Sequence, residues 1–252
     1  MNVYGLDVGG SGIKGAPVDT ETGMLLAERV RIKTPHPATP AAIVRTAVKV
    51  VRGAGWDGPV GCGFPAVVKD GVVHTAANID DAAIGFDLGG ALEERLGRPV
   101  GVVNDADAAG LAEVRWGEGR NREGVVLMLT LGTGIGTSLF VGGRLVPNTE
   151  LGHIEIGGRD AEHRASDTAR KREELSWKQY AHRLDEYLRK IEDLLWPDVI
   201  VVGGGISKKA DKFLPHLTTR TEIVIAKMLN EAGIAGAALA GIPDRATEKV
   251  AE

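Results

Sequence analysis

The chain has 252 residues, 43% hydrophobic and 25% charged, with a formal net charge of −4. That length suits one large domain or two lobes, and the mild acidity argues against general binding to nucleic acid or to a membrane surface. One cysteine, Cys62, permits neither an internal disulfide nor a thiolate metal cluster, which fits a reducing cytoplasm. No basic segment followed by an apolar stretch opens the chain, so no signal peptide is expected, and no apolar run reaches the length of a membrane span.

Residues 3–8 read as a buried strand carrying one acid, Asp7. Gly9-Gly-Ser-Gly-Ile-Lys-Gly15 follows, and residues 10–15 match G-x-G-x-x-G. A dinucleotide fold needs a helix directly after those glycines. Here Ala16 to Gly23 is turn-rich and Met24 to Ile32 reads as a strand, so the pattern is a hairpin meander. Walker A is also absent. Glycine lets backbone N–H groups approach an anion closely, which makes Gly9, Gly10, Ser11, Gly12 and Lys14 candidates to hold phosphate. A plain hairpin turn is the alternative.

Thr39-Pro40 is a helix start, with a Thr cap and Pro at the first position, and Ala42 to Arg52 has helical spacing. Val60 begins a strand that runs into a loop, Val67 to Thr75 reads as a hairpin, and Asn78 opens a polar loop. Leu88 to Leu96 is helical, with Gly97 as C-cap. The apolar run from Val100 then ends in Asn104-Asp105, before a small-residue helix over Ala106 to Trp116. In an open α/β sheet the carboxyl ends of the strands are where ligands bind. Equally, such a pair caps a following helix. Asp107 reads as a structural acid.

After a polar break at 117–124, Val125 to Leu131 is a continuous apolar run containing Thr130. A second glycine loop covers Gly132-Thr-Gly-Ile-Gly-Thr137, with Thr133 and Gly134 inside it, and a strand resumes over Ser138 to Val141. Strand, glycine loop, strand thus occurs twice, a structural duplication without sequence repetition. It predicts two phosphate-contacting hairpins on opposite sides of one cleft. Glu150, His153 and Glu155 crowd the next segment. Glu150 and His153 are three apart, so one helical turn sets them on one face. They suit a metal-ligand pair or hydrogen bonds to a polyhydroxyl ligand, and a lone His is also often structural. Residues 157–174 are highly charged. Ser176-Trp-Lys-Gln179 is a capping box, and an apolar stripe then runs to Leu195 before Pro197. Val199 to Val202 is a buried strand, Gly203-Gly204-Gly205 a third glycine loop, and residues 230–240 a small-residue helix suited to close packing.

Three glycine loops after strands, with Asn-Asp between the first two, are a specific arrangement. Leu6 to Gly15 resembles the phosphate-one loop of actin-like sugar kinases, Leu131 to Gly136 resembles phosphate-two, and Val202 to Ile206 the adenosine loop. Glu150-Leu-Gly-His153 is similar to the signature of the ROK family, and Val146 to His153 and Gly203 to Lys208 resemble its polyphosphate-using glucose kinases. The resemblance implies an α/β, two-lobed actin-like ATPase (ribonuclease H-like) fold, each lobe a mixed sheet flanked by helices. The smaller lobe would span 1–104, with a C-terminal helix of about 236–252 as a candidate to complete it, and the larger 105–235. Asp105 takes the family's catalytic-base position. Asn78, Asn104, Glu150 and His153 fall on sugar-binding positions. Typical members carry a Cys-rich zinc loop after the His. Here it is missing, so no zinc site is expected and packing or hydrogen bonds must hold the loop beside His153. Glu162-His-Arg-Ala-Ser resembles the end of that loop, which makes Glu162 the last sugar-binding carboxylate, with Glu155 as competitor. No helix-turn-helix precedes the first strand, which disfavours the family's repressor branch.

The resemblance implies phosphorylation of glucose at the 6-hydroxyl by inorganic polyphosphate, ATP or both. Asp105 would be general base, and Mg²⁺ would be anchored by Asp7 through water, in the usual way of that ion. Arg170, Lys171, Arg172, Lys178, Arg183, Lys208, Lys209 and Lys212 are candidates for a polyphosphate track. The alternatives are a strictly ATP-dependent hexose or N-acetylhexosamine kinase, a non-catalytic sugar sensor and an actin-like ATPase. A cytoplasmic homodimer is a family expectation.

Overall fold

The structure, a computed structural model, describes residues 1–76 and 79–243. Asn78 and the chain beyond 243 lie outside the described residues. Two compact units form: Met1–Ala112 with the segment from Glu231 on, and Glu113–Asn230.

The first unit holds strands β1 (Asn2–Gly9), β2 (Gly12–Asp19), β3 (Val30–Ile32) and β4 (Val60–Phe64), a small hairpin of β5 (Val68–Lys69) and β6 (Val72–Val73), and β7 (Val100–Asn104). Its sheet has the order β3-β2-β1-β4-β7, antiparallel through β1–β2–β3 and parallel through β1–β4–β7. The second unit holds β8 (Val125–Leu131), β9 (Ile135–Val141), β10 (Arg144–Val146), the two-strand hairpin β11 (Glu155–Ile156) and β12 (Arg159–Asp160), then β13 (Val199–Gly203) and β14 (Glu222–Ile225). Its sheet is β10-β9-β8-β13-β14 with the same senses in the same places. The duplication expected from the glycine loops is therefore a duplication of topology.

Two boundaries differ from the sequence reading. β2 spans Gly12–Asp19, so Gly12 and Lys14 are strand residues and the first turn is confined to Gly9–Gly12. Only Val30–Ile32 of the expected strand at 24–32 pairs, beyond one isolated bridge between Val18 and Leu25. The cause is a turn after β2, where the Asp19 carboxylate accepts from the Glu21 N–H and the Thr22 hydroxyl. In the second unit β9 starts at Ile135 rather than Ser138. The loop shrinks to Gly132–Gly134 and is closed by a Gly132 N–H to Gly134 carbonyl bond of 3.0 Å.

In the first unit, α1 (Pro40–Gly53) is capped by the Thr39 hydroxyl, and α2 (Leu88–Leu96) ends at Gly97 in the left-handed region. Tyr4 and Leu6 of β1 join their apolar residues in one core. Side chains alternate along a strand, so Gly5 faces the other way, where the C-terminal helix Ala232–Ala240 crosses the sheet. Gly5, Gly61 and Gly101 lie in register on β1, β4 and β7. A Cβ there would stand 1.9 Å from the Ile234 carbonyl oxygen, 1.7 Å from that of Ala237 and 1.8 Å from that of Ala240, respectively. The row of glycines is the bed in which the small-residue helix lies.

Helix α3 (Asp105–Trp116) follows β7, and the division between the units falls inside it. The charged segment 157–174 contains α4 (Glu162–Ala165) and α5 (Asp167–Arg172), neither foreseen. Helix α6 (Trp177–Leu195) carries the expected capping box of Ser176 and Gln179, and its Leu184, Leu188 and Ile191 share one core with Leu127, Leu129 and Ile200. Among the described residues no helix is long and apolar enough to cross a membrane.

Gly61→Ala is expected to destabilise the protein by about 2–3 kcal/mol, since the helix must lift off the sheet. Gly53→Ala, where a Cβ meets nothing within 4 Å, is the control. Urea midpoints measure both, and equal midpoints would refute the close-packing argument.

Candidate active site

In the first unit the end of β7 settles how Asn104 and Asp105 divide their work. The Asn104 Oδ1 accepts from the N–H groups of Ala106 (2.8 Å) and Asp107 (3.1 Å), and its Nδ2 donates to the Ala66 carbonyl (3.1 Å). Asn104 is therefore the buried cap of α3. Asp105 is the first helical residue, half-buried, where the helix N-terminus favours an ionised carboxylate.

The Gly9–Gly12 turn is strapped from outside. The Thr34 hydroxyl donates to the Gly9 carbonyl, and Arg31 Nη2 donates to that of Ser11 (3.0 Å). Behind the turn, Asp7 and Lys14 are cross-strand partners whose Oδ2 and Nζ lie 2.9 Å apart. The Asp7 carboxylate is also close to the C-terminal helix, since a Cβ at Gly233 would lie 2.6 Å from Oδ2. Among the described residues no group of three or more His, Cys, Asp or Glu could cage a metal ion. The Asp7 carboxylate, mostly enclosed and paired with Lys14, fits an ion that keeps several waters and needs few protein ligands, as Mg²⁺ does.

In the second unit Glu150, His153 and Glu162 come together. Leu151–His153 forms one 3-10 turn, which places His153 Nε2 3.6 Å from Glu150 Oε2. Gly152 is needed within this turn, because a Cβ would sit 2.1 Å from the Ile135 carbonyl oxygen. The turn is also stitched to β9, where the Thr137 hydroxyl donates to the Thr149 carbonyl and accepts from the Leu151 N–H. Glu162 Oε2 accepts from the Ile135 N–H at 2.9 Å. Burial pushes the Glu150 carboxyl above its usual range; charge on His153 opposes this and Glu162 reinforces it. The His153 imidazole is raised, chiefly by its hydrogen bond to Asp160, against desolvation and with help from Glu162 and Glu150. Glu155 is exposed on β11, and among the described residues no hydrogen bond ties it to this group.

Asp160 was not singled out by the sequence. Its Oδ2 lies 2.7 Å from His153 Nδ1, and its Oδ1 accepts from the Glu162 N–H. The available signal was Gly157-Gly158, both at positive φ, which folds β12 back on β11 and returns residue 160 toward residue 153.

The glycine-loop residues are of two kinds. Gly134 packs on Glu162, Gly203 on Met128, and Gly204, at φ 81°, on the Leu131 backbone. Gly10, Gly132 and Gly205 have no neighbour within 4 Å of an added Cβ and no left-handed φ. Thr130 lies within β8, paired with Gly203, and Thr133 is exposed at the loop tip. The proposed cationic track also divides. Arg170 and Lys171 are paired with Asp167, and Arg172 and Arg183 with Glu173. The hydrogen bonds from Lys171 and Arg170 hold Asp167 low in spite of its burial. Lys208, Lys209 and Lys212 follow Gly205 on a 3-10 helix, and no carboxylate pairs with them among the described residues. Lys212 lies 5.6 Å from the Trp177 ring centre.

A polyphosphate glucokinase of Mycobacterium tuberculosis is 48% identical over 242 residues, covering 96% of this chain and 91% of its own length. The crystal structure of an inorganic polyphosphate/ATP-glucomannokinase from Arthrobacter sp. strain KM matches with a TM-score of 0.91 at 50% identity, over 94% of this chain and 97% of that one. A ROK family glucokinase from Streptomyces griseus, in complex with glucose and AMPPNP, matches with a TM-score of 0.81 at 26% identity, over 96% of this chain and 99% of that one. The two mixed sheets flanked by helices are those of the actin-like ATPase fold. The ROK family pattern matches residues 3–166, and the chain, a phosphotransferase, belongs to the ROK family.

Proposed function

We propose that the chain transfers the terminal phosphoryl group of inorganic polyphosphate, and of ATP, to the 6-hydroxyl of glucose, giving glucose 6-phosphate. One observation carries the reading: a cluster suited to a polyhydroxyl ligand is bonded, through Glu162 and the Ile135 N–H, to the residue that follows the Gly132–Gly134 loop. The named substrates of the relatives support glucose and this pair of donors.

A neutral alcohol is a weak nucleophile. Asp105 takes the proton of the 6-hydroxyl as its oxygen bonds to phosphorus and the donor's phosphoanhydride bond breaks. Glu150, His153 and Glu162 orient the ring through hydrogen bonds, joined by Asn78 and by the second amide proton of Asn104. The donor approaches Gly10, Gly132 and Gly205. The fold requires glycine at none of the three, so room for a phosphate chain beside backbone N–H groups accounts for them. The Ser11 and Thr133 hydroxyls and Lys14 assist there. Asp7 would hold Mg²⁺ through water, and the ion would supply positive charge to offset that on the donor oxygens. Lys208, Lys209 and Lys212, with Lys178 of α6, are the track cations left to attract a polyanion, since Arg170, Lys171, Arg172 and Arg183 are spent on Asp167 and Glu173.

Asp105→Asn is expected to lower kcat by about 10²–10⁴ and to leave glucose binding, read by calorimetry, within about threefold. Near-normal turnover would exclude Asp105 as base. Gly132→Ala is expected to leave the urea midpoint unchanged while lowering kcat/KM for both donors by about tenfold or more; unaltered kinetics would remove the loop from the donor site. Replacing Lys208, Lys209 and Lys212 together with Ala is expected to reduce kcat/KM for polyphosphate about tenfold, with a smaller effect on ATP. Equal losses for the two donors would exclude a polyphosphate role for these lysines.

A further inference from the structure

We propose that Asp160 is a positioning residue of the acceptor site, holding the His153 ring in one orientation and one tautomer where typical family members carry a zinc loop. The proposal rests on the reading of Glu150 and His153 as acceptor-holding groups.

An imidazole at the end of a short turn, with 42% of its side chain exposed, needs a partner to stop its ring from flipping. His153 has one on each nitrogen: Asp160 Oδ2 at 2.7 Å from Nδ1 and Glu150 Oε2 at 3.6 Å from Nε2. The shorter contact decides the orientation. Asp160 accepts only, so Nδ1 carries a proton in the neutral ring as well as in the charged one. Nε2 is thereby left to the substrate side, accepting when neutral and donating when charged.

Asp160 can do this because it is itself held. Its Oδ1 takes the Glu162 N–H at 2.9 Å, and the β11–β12 hairpin is closed by the Ala161 N–H on the Ile154 carbonyl at 2.9 Å. Arg164 ties that hairpin to α6, with Nη1 donating to the Ile156 carbonyl and Nη2 paired with Glu186. The single cysteine, Cys62, lies buried in β4, so no thiolate cluster can take this part, and the hydrogen bonds hold the hairpin themselves. The charged groups facing the ring are Asp160, Glu162 and Glu150, all acidic, and all favour the imidazolium.

Histidine titration by NMR in the full chain, assigned with His153→Gln, tests the proposal. The wild-type ring is expected to titrate above the ordinary value of about 6.5 and, above that pH, to carry its proton on Nδ1. Asp160→Asn is expected to lower the titration by about one unit and to mix the tautomers. KM for glucose is expected to rise about tenfold with kcat within about threefold, and Asp160→Glu to restore most of the loss. A wild-type ring titrating at or below the ordinary value overturns the proposal whether or not the variants fold. So does an Asp160→Asn protein that loses thermal stability with its ring titration and tautomer unchanged, the mark of a merely structural role. A glucose KM indifferent to His153→Gln would overturn the acceptor reading instead, and the ring titration would still judge the Asp160 contact.

Discussion

The peptide of Ile135 is the constraint on which the second unit's chemistry depends. Its N–H is bound by Glu162, and its carbonyl oxygen lies where any side chain at Gly152 would have to go. One residue earlier, Gly134 is pressed against the same Glu162 carboxylate. A glycine loop, a carboxylate from α4 and the Glu150–His153 turn therefore share one anchoring residue. None can shift by a fraction of an ångström without disturbing the other two, because close-packed groups transmit displacement. In phosphoryl transfer catalysis is largely positioning and charge, and a junction of this kind fixes the positions of the proposed acceptor groups relative to one another.

Glycine serves three physical purposes along the chain, and separating them is what points to ligand contacts. Gly5, Gly61 and Gly101 are small because a helix backbone lies on them. Gly97 and Gly204 adopt left-handed conformations that side chains avoid. Gly10, Gly132 and Gly205 answer to neither need. A position at which the fold would accept alanine, within a loop that follows a strand, calls for an explanation outside the fold.

What was legible in the sequence was local. The continuous apolar runs of β8 and β13 announce strands covered on both faces, and the Thr39 and Ser176 caps fix helix starts through bonds within three residues. Topological duplication was legible because each glycine loop is flanked by its own pair of strands. The segment 157–174 was not. Its charges read as candidates for a polyanion track, yet Arg164, Arg170 and Arg183 are committed to Glu186, Asp167 and Glu173. Two of those pairs bridge residues too far apart in sequence for spacing to reveal them. Asp160 escaped notice for the same reason, since its importance depends on a hairpin turn and not on a motif. Asn104 and Asp105 posed the opposite problem, with two valid local readings, and the hydrogen bonds gave the capping task to Asn104.

The acidic surroundings of His153 also bear on Glu150. Burial alone would keep a Glu150 carboxyl protonated to higher pH, and Glu162 adds to that tendency. A protonated carboxyl loses acceptor capacity for sugar hydroxyls. Positive charge on His153 works the other way, favouring ionised Glu150. That charge is itself sustained chiefly by the hydrogen bond to Asp160. The sequence of influence thus runs from Asp160 to His153 to Glu150: the hydrogen bond from Asp160 favours charge on one imidazole, and that charge opposes the upward push that burial gives the Glu150 carboxyl. His153 and Glu150 act on one another, so substitution of either shifts the other.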